Sequence, residues 1–251
     1  MADFDFAVIK VNTEAETVVI PDGVVRIEAH AAMNGRHMVH LVLPEGVQAI
    51  EGQAFSACSR LEDVTLPSTL TRIEEGAFRG CRSLKSVTLP EGLEKLGERA
   101  FIRCANLEQV RLPHSLREIE DSCFRKCDSL ETIEIPEGVT KIHARAFKAC
   151  ARLKRVILPA SLVEIENEAF MGCPSLHDID LPEGLTWIGP RAFEGCMALE
   201  RAHVPETVRS LESRVFAGCK SLVDVTIPDN LDYIDENAFV GSNIELDFGD
   251  E

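Results

Sequence analysis

Residues Pro67–Leu89 read PSTLTRIEEGAFRGCRSLKSVTL, and nearly the whole chain is a set of variations on those 23 residues. Proline recurs every 23 residues from Pro21 to Pro228, phenylalanine from Phe55 to Phe239 and cysteine from Cys58 to Cys219. Eight full units run from Pro44 to Ile227 without insertion or deletion. A strict period of this length marks a solenoid in which each unit is one coil and packs on its neighbours. Such a repeat stacks like residues, whereas catalysis needs unlike residues brought together.

Each unit follows P-x-x-L-x-x-I-x-x-x-A-F-x-x-C-x-x-L-x-x-V-x-L. In Leu61, Val64 and Leu66 the apolar positions end in alternation, which predicts a strand. The following proline has no N–H for a ladder and ends it, and Glu-Gly or Ser-Thr then turns the chain. The spacing of Ile73, Ala77, Phe78 and Cys81 predicts a short helical turn, too short to stand without its neighbours. Acids before it (Glu74, Glu75, Glu120, Asp121) and bases after it (Arg79, Arg82, Arg125, Lys126) lie in the order a helix dipole favours.

The motif resembles the BspA-like, treponemal-type leucine-rich repeat, over roughly nine tenths of the chain; the residues after the proline fit plant and animal subclasses poorly. The resemblance implies an α/β solenoid: a right-handed superhelix with a parallel β-sheet on the concave face and short helical turns opposite. It also implies a binding role, since founding members are bacterial surface proteins. One domain is expected over 1–251, with a cap and degenerate first coil at 1–43, regular coils at 44–227 and a half-coil and cap at 228–251. Phe4, Phe6 and Val8 suggest a covering strand at one end, and Ile244, Leu246 and Phe248 alternate at the other.

The chain has 251 residues, is 45% hydrophobic and carries a net charge of −16. That charge opposes binding to nucleic acid or anionic membrane. No apolar run approaches a membrane span, so no membrane insertion is expected. The first residues lack the pattern of a signal peptide, which points to the cytoplasm; a sequence whose export signal had been removed would read the same and belong at the cell surface or outside. Eight of the nine cysteines share a column and Cys123 replaces the alanine of the A-F pair. Reduced, core-packed thiols are expected, because parallel side chains suit neither disulfide torsion nor tetrahedral zinc.

No catalytic motif occurs, no cofactor is implied, and the seven histidines share no column. They read as surface residues; His37 and His40 have no third ligand at metal spacing. The variable positions of the strand must face outward if the fixed ones face in. Among them Arg155, Ile157, Asp178, Asp180, Arg201 and His203 form a mixed-charge patch around one exposed isoleucine, a candidate surface for a protein partner, with Arg111 and Glu134 as further outward candidates. Trp187 stands in a largely polar column, with Tyr233 two coils on; both are expected to be exposed, and Trp187 to serve a second surface for weak self-association. Three functions follow: an intracellular protein-binding scaffold, a secreted or surface adhesin, and a ligand- or cation-binding domain on an acidic strand face such as Asp178 and Asp180.

Overall fold

The computed structural model describes residue 11 and residues 14–244, with the backbone alone at Asp178. The expected end strands at Phe4–Val8 and Leu246–Phe248 lie outside the described residues. Within them the chain winds as a parallel β-solenoid whose register is the sequence period. Thr132 pairs with Arg155, Ile133 with Val156 and Glu134 with Ile157, each 23 residues apart.

Every regular coil contributes two strands. One is the expected strand, two or three residues long, such as Arg155–Ile157; the other is a two-residue strand around the repeated isoleucine, such as Arg72–Ile73. The second strand was not anticipated. It runs in its own parallel ladder, Arg72–Ile73 bonding to Lys95–Leu96. Between the two, the proline carbonyl accepts from the leucine N–H three residues on, as Leu93 does to Pro90 at 3.0 Å. That hydrogen bond closes the P-x-x-L turn.

The expected short helical turns are absent: no helix occurs among the described residues. The A-F-x-x-C stretch is a chain of tight turns instead. Two residues per coil, four apart, have positive φ: Gln53 (55°) and Ala57 (59°), Arg99 (57°) and Arg103 (63°), Arg145 (59°) and Ala149 (60°). A right-handed helix cannot include a left-handed residue every fourth position. The hydrogen bonds explain why this path is taken. The N–H groups of Gln53, Phe55 and Ala57 leave the coil and reach the carbonyls of Glu75, Ala77 and Arg79 at 2.9, 2.8 and 2.6 Å. Those of Ala54, Ser56 and Cys58 turn back to Glu51, Gln53 and Phe55. Alternate residues thus bond along the stack and within the coil. A helix would satisfy the same donors within one coil and give up the bonds that hold coils together. With no helix there is no helix dipole, and the flanking charges act otherwise: Glu75 pairs with Arg99 at 2.6 Å and Asp121 with Arg145 at 2.8 Å, across coils.

The core is a set of columns. Phe55 through Phe239 stack in one file, adjacent centroids 5.3 to 5.7 Å apart, with interplanar angles of 1° to 18°. Rings set by the coil spacing in this way are offset parallel, a favourable arrangement beyond the area they bury. All nine cysteines are free and buried. Each of the eight column thiols donates to a backbone carbonyl 26 residues earlier: Cys81 to Phe55 at 3.2 Å, Cys127 to Phe101 at 3.3 Å, Cys150 to Phe124 at 3.1 Å. The column therefore carries cysteine for a donor as well as for its volume. Cys123 sits buried beside Phe124 in the alanine column.

Candidate functional site

The outward residues of the longer strands face solvent as the alternation requires, with Arg155 and Ile157 exposed on either side of buried Val156. Two adjoining grooves cross this sheet face. The larger, about 450 Å³, is lined by Arg111, Leu112, His114, Glu134, Ile135, Pro136, Glu137, Ile157, Leu158 and Pro159 among others. The smaller, about 70 Å³, is lined by Arg155, Ile157, Leu158, Ile179 and Asp180 among others. Ile157 is 39% exposed and belongs to both. The fold produces this mixture locally. Glu134 is the direct neighbour of Ile157 across the ladder, and Arg155 of Asp178. The prolines at the strand ends supply an apolar rim without a backbone donor.

Charged groups fix the edges of the larger groove. The His114 backbone N–H, at 3.0 Å, holds the Glu91 carboxyl below its ordinary range. Arg111 approaches the same carboxylate at 3.8 Å. Beyond the other end of the strand, Glu131 is bridged by Lys154 at 2.8 Å and by Arg152, and the Lys154 hydrogen bond leads in keeping its carboxyl low. Glu131 and Arg152, with Glu108, Gln109, Ser129 and Thr132, line a third, polar groove of about 400 Å³.

Of the sequence-predicted residues, Arg111, Glu134, Arg155, Ile157 and Asp180 come together around the two grooves. Asp178 is in register between Arg155 and the next coil, with its side chain outside the description. Arg201 and His203 lie further along the same face, paired with Asp224 and Thr226; His203 Nδ1 is 2.9 Å from Thr226 Oγ1. Trp187 and Tyr233 stand apart, on the ladder of shorter strands, beside Glu164 and Ser210. Trp187 is half-buried rather than exposed. Tyr233 is 51% exposed, as its polar column implies, and its hydroxyl donates to Asp235 Oδ2 at 3.0 Å.

Sequence reasoning missed a second cluster. On the shorter-strand ladder Glu118, Glu120 and His143 bring one carboxylate oxygen each and a ring nitrogen within 4.8 Å of one another. His143 Nε2 is 2.8 Å from Glu118 and 4.0 Å from Glu120, and Nδ1 is 3.5 Å from Glu166. Burial pushes the Glu120 carboxyl above its ordinary range. Although burial opposes it, Lys141 and the Ala144 N–H hold the Glu166 carboxyl below its own. His143 is therefore not a plain surface histidine. The signal lay in two columns: the strand column holds a base at Arg72, Lys95 and Lys141 but an acid at Glu118, and the column two residues on, acidic at Glu74, Glu120 and Glu166, holds a histidine at His143.

Among the described residues no helix is long and apolar enough to cross a membrane. No curated protein matches the chain by sequence. In solved structures the chain resembles a leucine-rich cell surface protein from Faecalibacterium prausnitzii, at 28% identity and a TM-score of 0.54, over 90% of this chain and 76% of that one. It also resembles the T. pallidum leucine-rich repeat protein, at 30% identity and a TM-score of 0.55, over 74% of this chain and 78% of that one. The pneumococcal vaccine antigen PcpA shares the fold at 20% identity and a TM-score of 0.64, over 92% and 70% of the two chains. The model of the BspA type leucine rich repeat region matches residues 11–131 and 117–245, in six copies. The repeat, the parallel ladders and these likenesses agree, and the chain belongs to the BspA-type leucine-rich repeat family.

Proposed function

We propose that this chain is a non-enzymatic protein-binding module that takes its partner on the outward face of the longer strands. The observation that carries this reading is Ile157, an apolar side chain 39% exposed at the junction of two grooves and ringed by Arg111, Glu134, Arg155 and Asp180. An apolar centre with both charge signs at its rim is the composition of a protein–protein contact. The frame residues are committed to packing, so specificity resides in the outward columns. The test is partner capture from the native host with Arg155→Glu/Arg201→Glu. Capture falls while thermal unfolding stays nearly unchanged; equal capture by the double variant places the partner elsewhere.

A second reading, an adhesin displayed at the cell surface, is favoured by the likeness to the Faecalibacterium surface protein. Fractionation of cells expressing the full-length gene product tests it: recovery in the surface or secreted fraction supports display, and recovery with the cytosol supports an internal scaffold.

A further inference from the structure

The strand column of the shorter ladder holds bases at Arg72, Lys95 and Lys141 and acids at Glu118 and Glu164, and the column two residues on holds acids at Glu74, Glu120 and Glu166. The bases reach acids of neighbouring coils: Lys95 Nζ is 2.7 Å from Glu74, and Lys141 Nζ is 2.8 Å from Glu166 and 2.9 Å from Glu164, its partner across the ladder. Glu118 stands between Lys95 and Lys141 on this ladder, and His143 puts an imidazole between Glu120 and Glu166 in the acid column. Its two neighbouring lysines are engaged with Glu74 and with Glu164 and Glu166, which leaves Glu118 facing His143.

We propose that Glu118, Glu120 and His143 form a binding site for a divalent transition-metal ion of the Zn²⁺ class. Glu118 and Glu120 are two apart on one strand end and so share a face. His143 is the residue in register with Glu120 in the next coil. The ring is flanked on both sides: Nε2 by Glu118 at 2.8 Å and Glu120 at 4.0 Å, Nδ1 by Glu166 at 3.5 Å. A neutral imidazole has one N–H. In the tautomer protonated at Nδ1, the side that faces Glu166, the Nε2 lone pair converges with two carboxylates, an arrangement that a cation between them stabilises.

Glu166 is in turn fixed by Lys141 and by the Ala144 N–H at 2.9 Å, so the ring has a held carboxylate behind it. That is the outer-shell arrangement that orients metal-binding histidines. The separations fit as well. Oxygen and nitrogen ligands bonded at about 2.0–2.2 Å to zinc lie about 3–3.4 Å from one another. Glu118 is already inside that distance, and a modest rotation of the Glu120 side chain closes the third edge. An imidazole among the ligands selects zinc-like ions over Ca²⁺ and Mg²⁺. Three protein ligands leave at least one position for water or a partner's side chain.

Calorimetric titration of Zn²⁺ into the full chain tests the site, with Ca²⁺ as the control ion and Co²⁺ as the spectroscopic probe. One Zn²⁺ per chain binds saturably, and Co²⁺ gives a visible spectrum of oxygen and nitrogen ligation without thiolate charge transfer. Glu118→Lys puts at this exposed strand position the residue that Lys95 and Lys141 carry in the neighbouring coils, so it folds, and it loses at least tenfold in affinity. Glu166→Gln, behind the ring, lowers affinity about 10–100-fold. Absence of saturable binding overturns the proposal. Undiminished affinity in Glu118→Lys, or a thiolate band with Co²⁺, overturns it too.

Discussion

Cys150 Sγ donates to the carbonyl of Phe124, 3.1 Å away in the preceding coil, and that carbonyl also accepts the Cys127 N–H at 3.2 Å. One carbonyl thus ties the phenylalanine file to two successive members of the cysteine column. A thiol is long enough to reach the neighbouring coil and small enough to leave the phenylalanine file undisturbed. Cys150→Ala removes the sulfur and its hydrogen bond, and about 1–2 kcal/mol of stability is expected to go with it. Denaturant unfolding measures the loss; no change would show the bond to be ornamental.

The same burial controls thiol chemistry. Desolvation pushes Cys104 and Cys219 up to about 12. The thiolate is the reactive form, so thiols held this high are inert in the folded protein. An aromatic disulfide reagent is expected to label almost none of the nine cysteines at pH 8 and all nine in denaturant. Rapid labelling of the native protein would place thiols at the surface.

The phenylalanine file sets the largest single cost. Phe147 is fully buried between Phe124 and Phe170, with centroids 5.5 and 5.3 Å away. Phe147→Ala opens a cavity that the two neighbouring coils cannot fill without leaving register, at about 3–5 kcal/mol. A cost under about 1 kcal/mol would mean that the coils collapse freely onto the gap.

Two glycines separate conformational from steric strain. Gly195 has φ 75°, and a Cβ there would only touch Gly172 Cα at 3.7 Å. Gly195→Ala is therefore expected to cost about 1–2 kcal/mol, the penalty of a left-handed residue. At Gly97 a Cβ would meet the backbone of Glu74 and Glu75 at 2.8 Å, so the coil itself must move. Gly97→Ala should lower the melting temperature more than Gly195→Ala, and the reverse order would refute this division.

The salt bridge between Lys148 Nζ and Glu168 Oε2, 2.7 Å long and three-quarters buried, gives a pH signature. The Lys148 hydrogen bond holds the Glu168 carboxyl below its ordinary value. The unfolded chain then binds the proton more readily, so this contribution is complete above an unfolded pKa of about 4.3 and fades as pH falls through the lower folded value. Glu168→Gln is expected to remove about 0.5–1 kcal/mol at pH 7 and nothing at the acid end. An equal loss at both pH values would exclude the ion pair as its cause.

The period, the two core columns and the outward strand residues were legible because packing repeats the same demand in every coil. The turns were not. Spacing of Ile73, Ala77, Phe78 and Cys81 is common to a helix and to a run of turns that buries the same side chains. What distinguishes them is positive φ, and the sequence marks it with glycine at Gly76, Gly80, Gly172, Gly195 and Gly218 while Gln53, Ala57, Arg99 and Arg103 hide it. The metal cluster was hidden for a related reason. Attention to histidines as a class missed His143, whose meaning comes from occupying an acid column beside Glu118.

The binding face makes its own prediction through Ile157. Its side chain packs little of the core, since it is 39% exposed while Val156 beside it is buried. Surface changes of this kind usually shift stability by no more than about 0.5 kcal/mol. In an interface, however, an apolar residue at the centre is desolvated on binding, and a charge put in its place stays buried without a partner. Ile157→Asp is expected to weaken partner binding at least tenfold with the melting temperature held. The control is chosen by exposure: Val223, 71% exposed, lines neither groove on the sheet face. Val223→Asp should leave binding intact. Loss of binding in both variants would indicate a response to added negative charge on a chain already at −16, and loss in the Val223 variant alone would move the docking surface to the end of the stack.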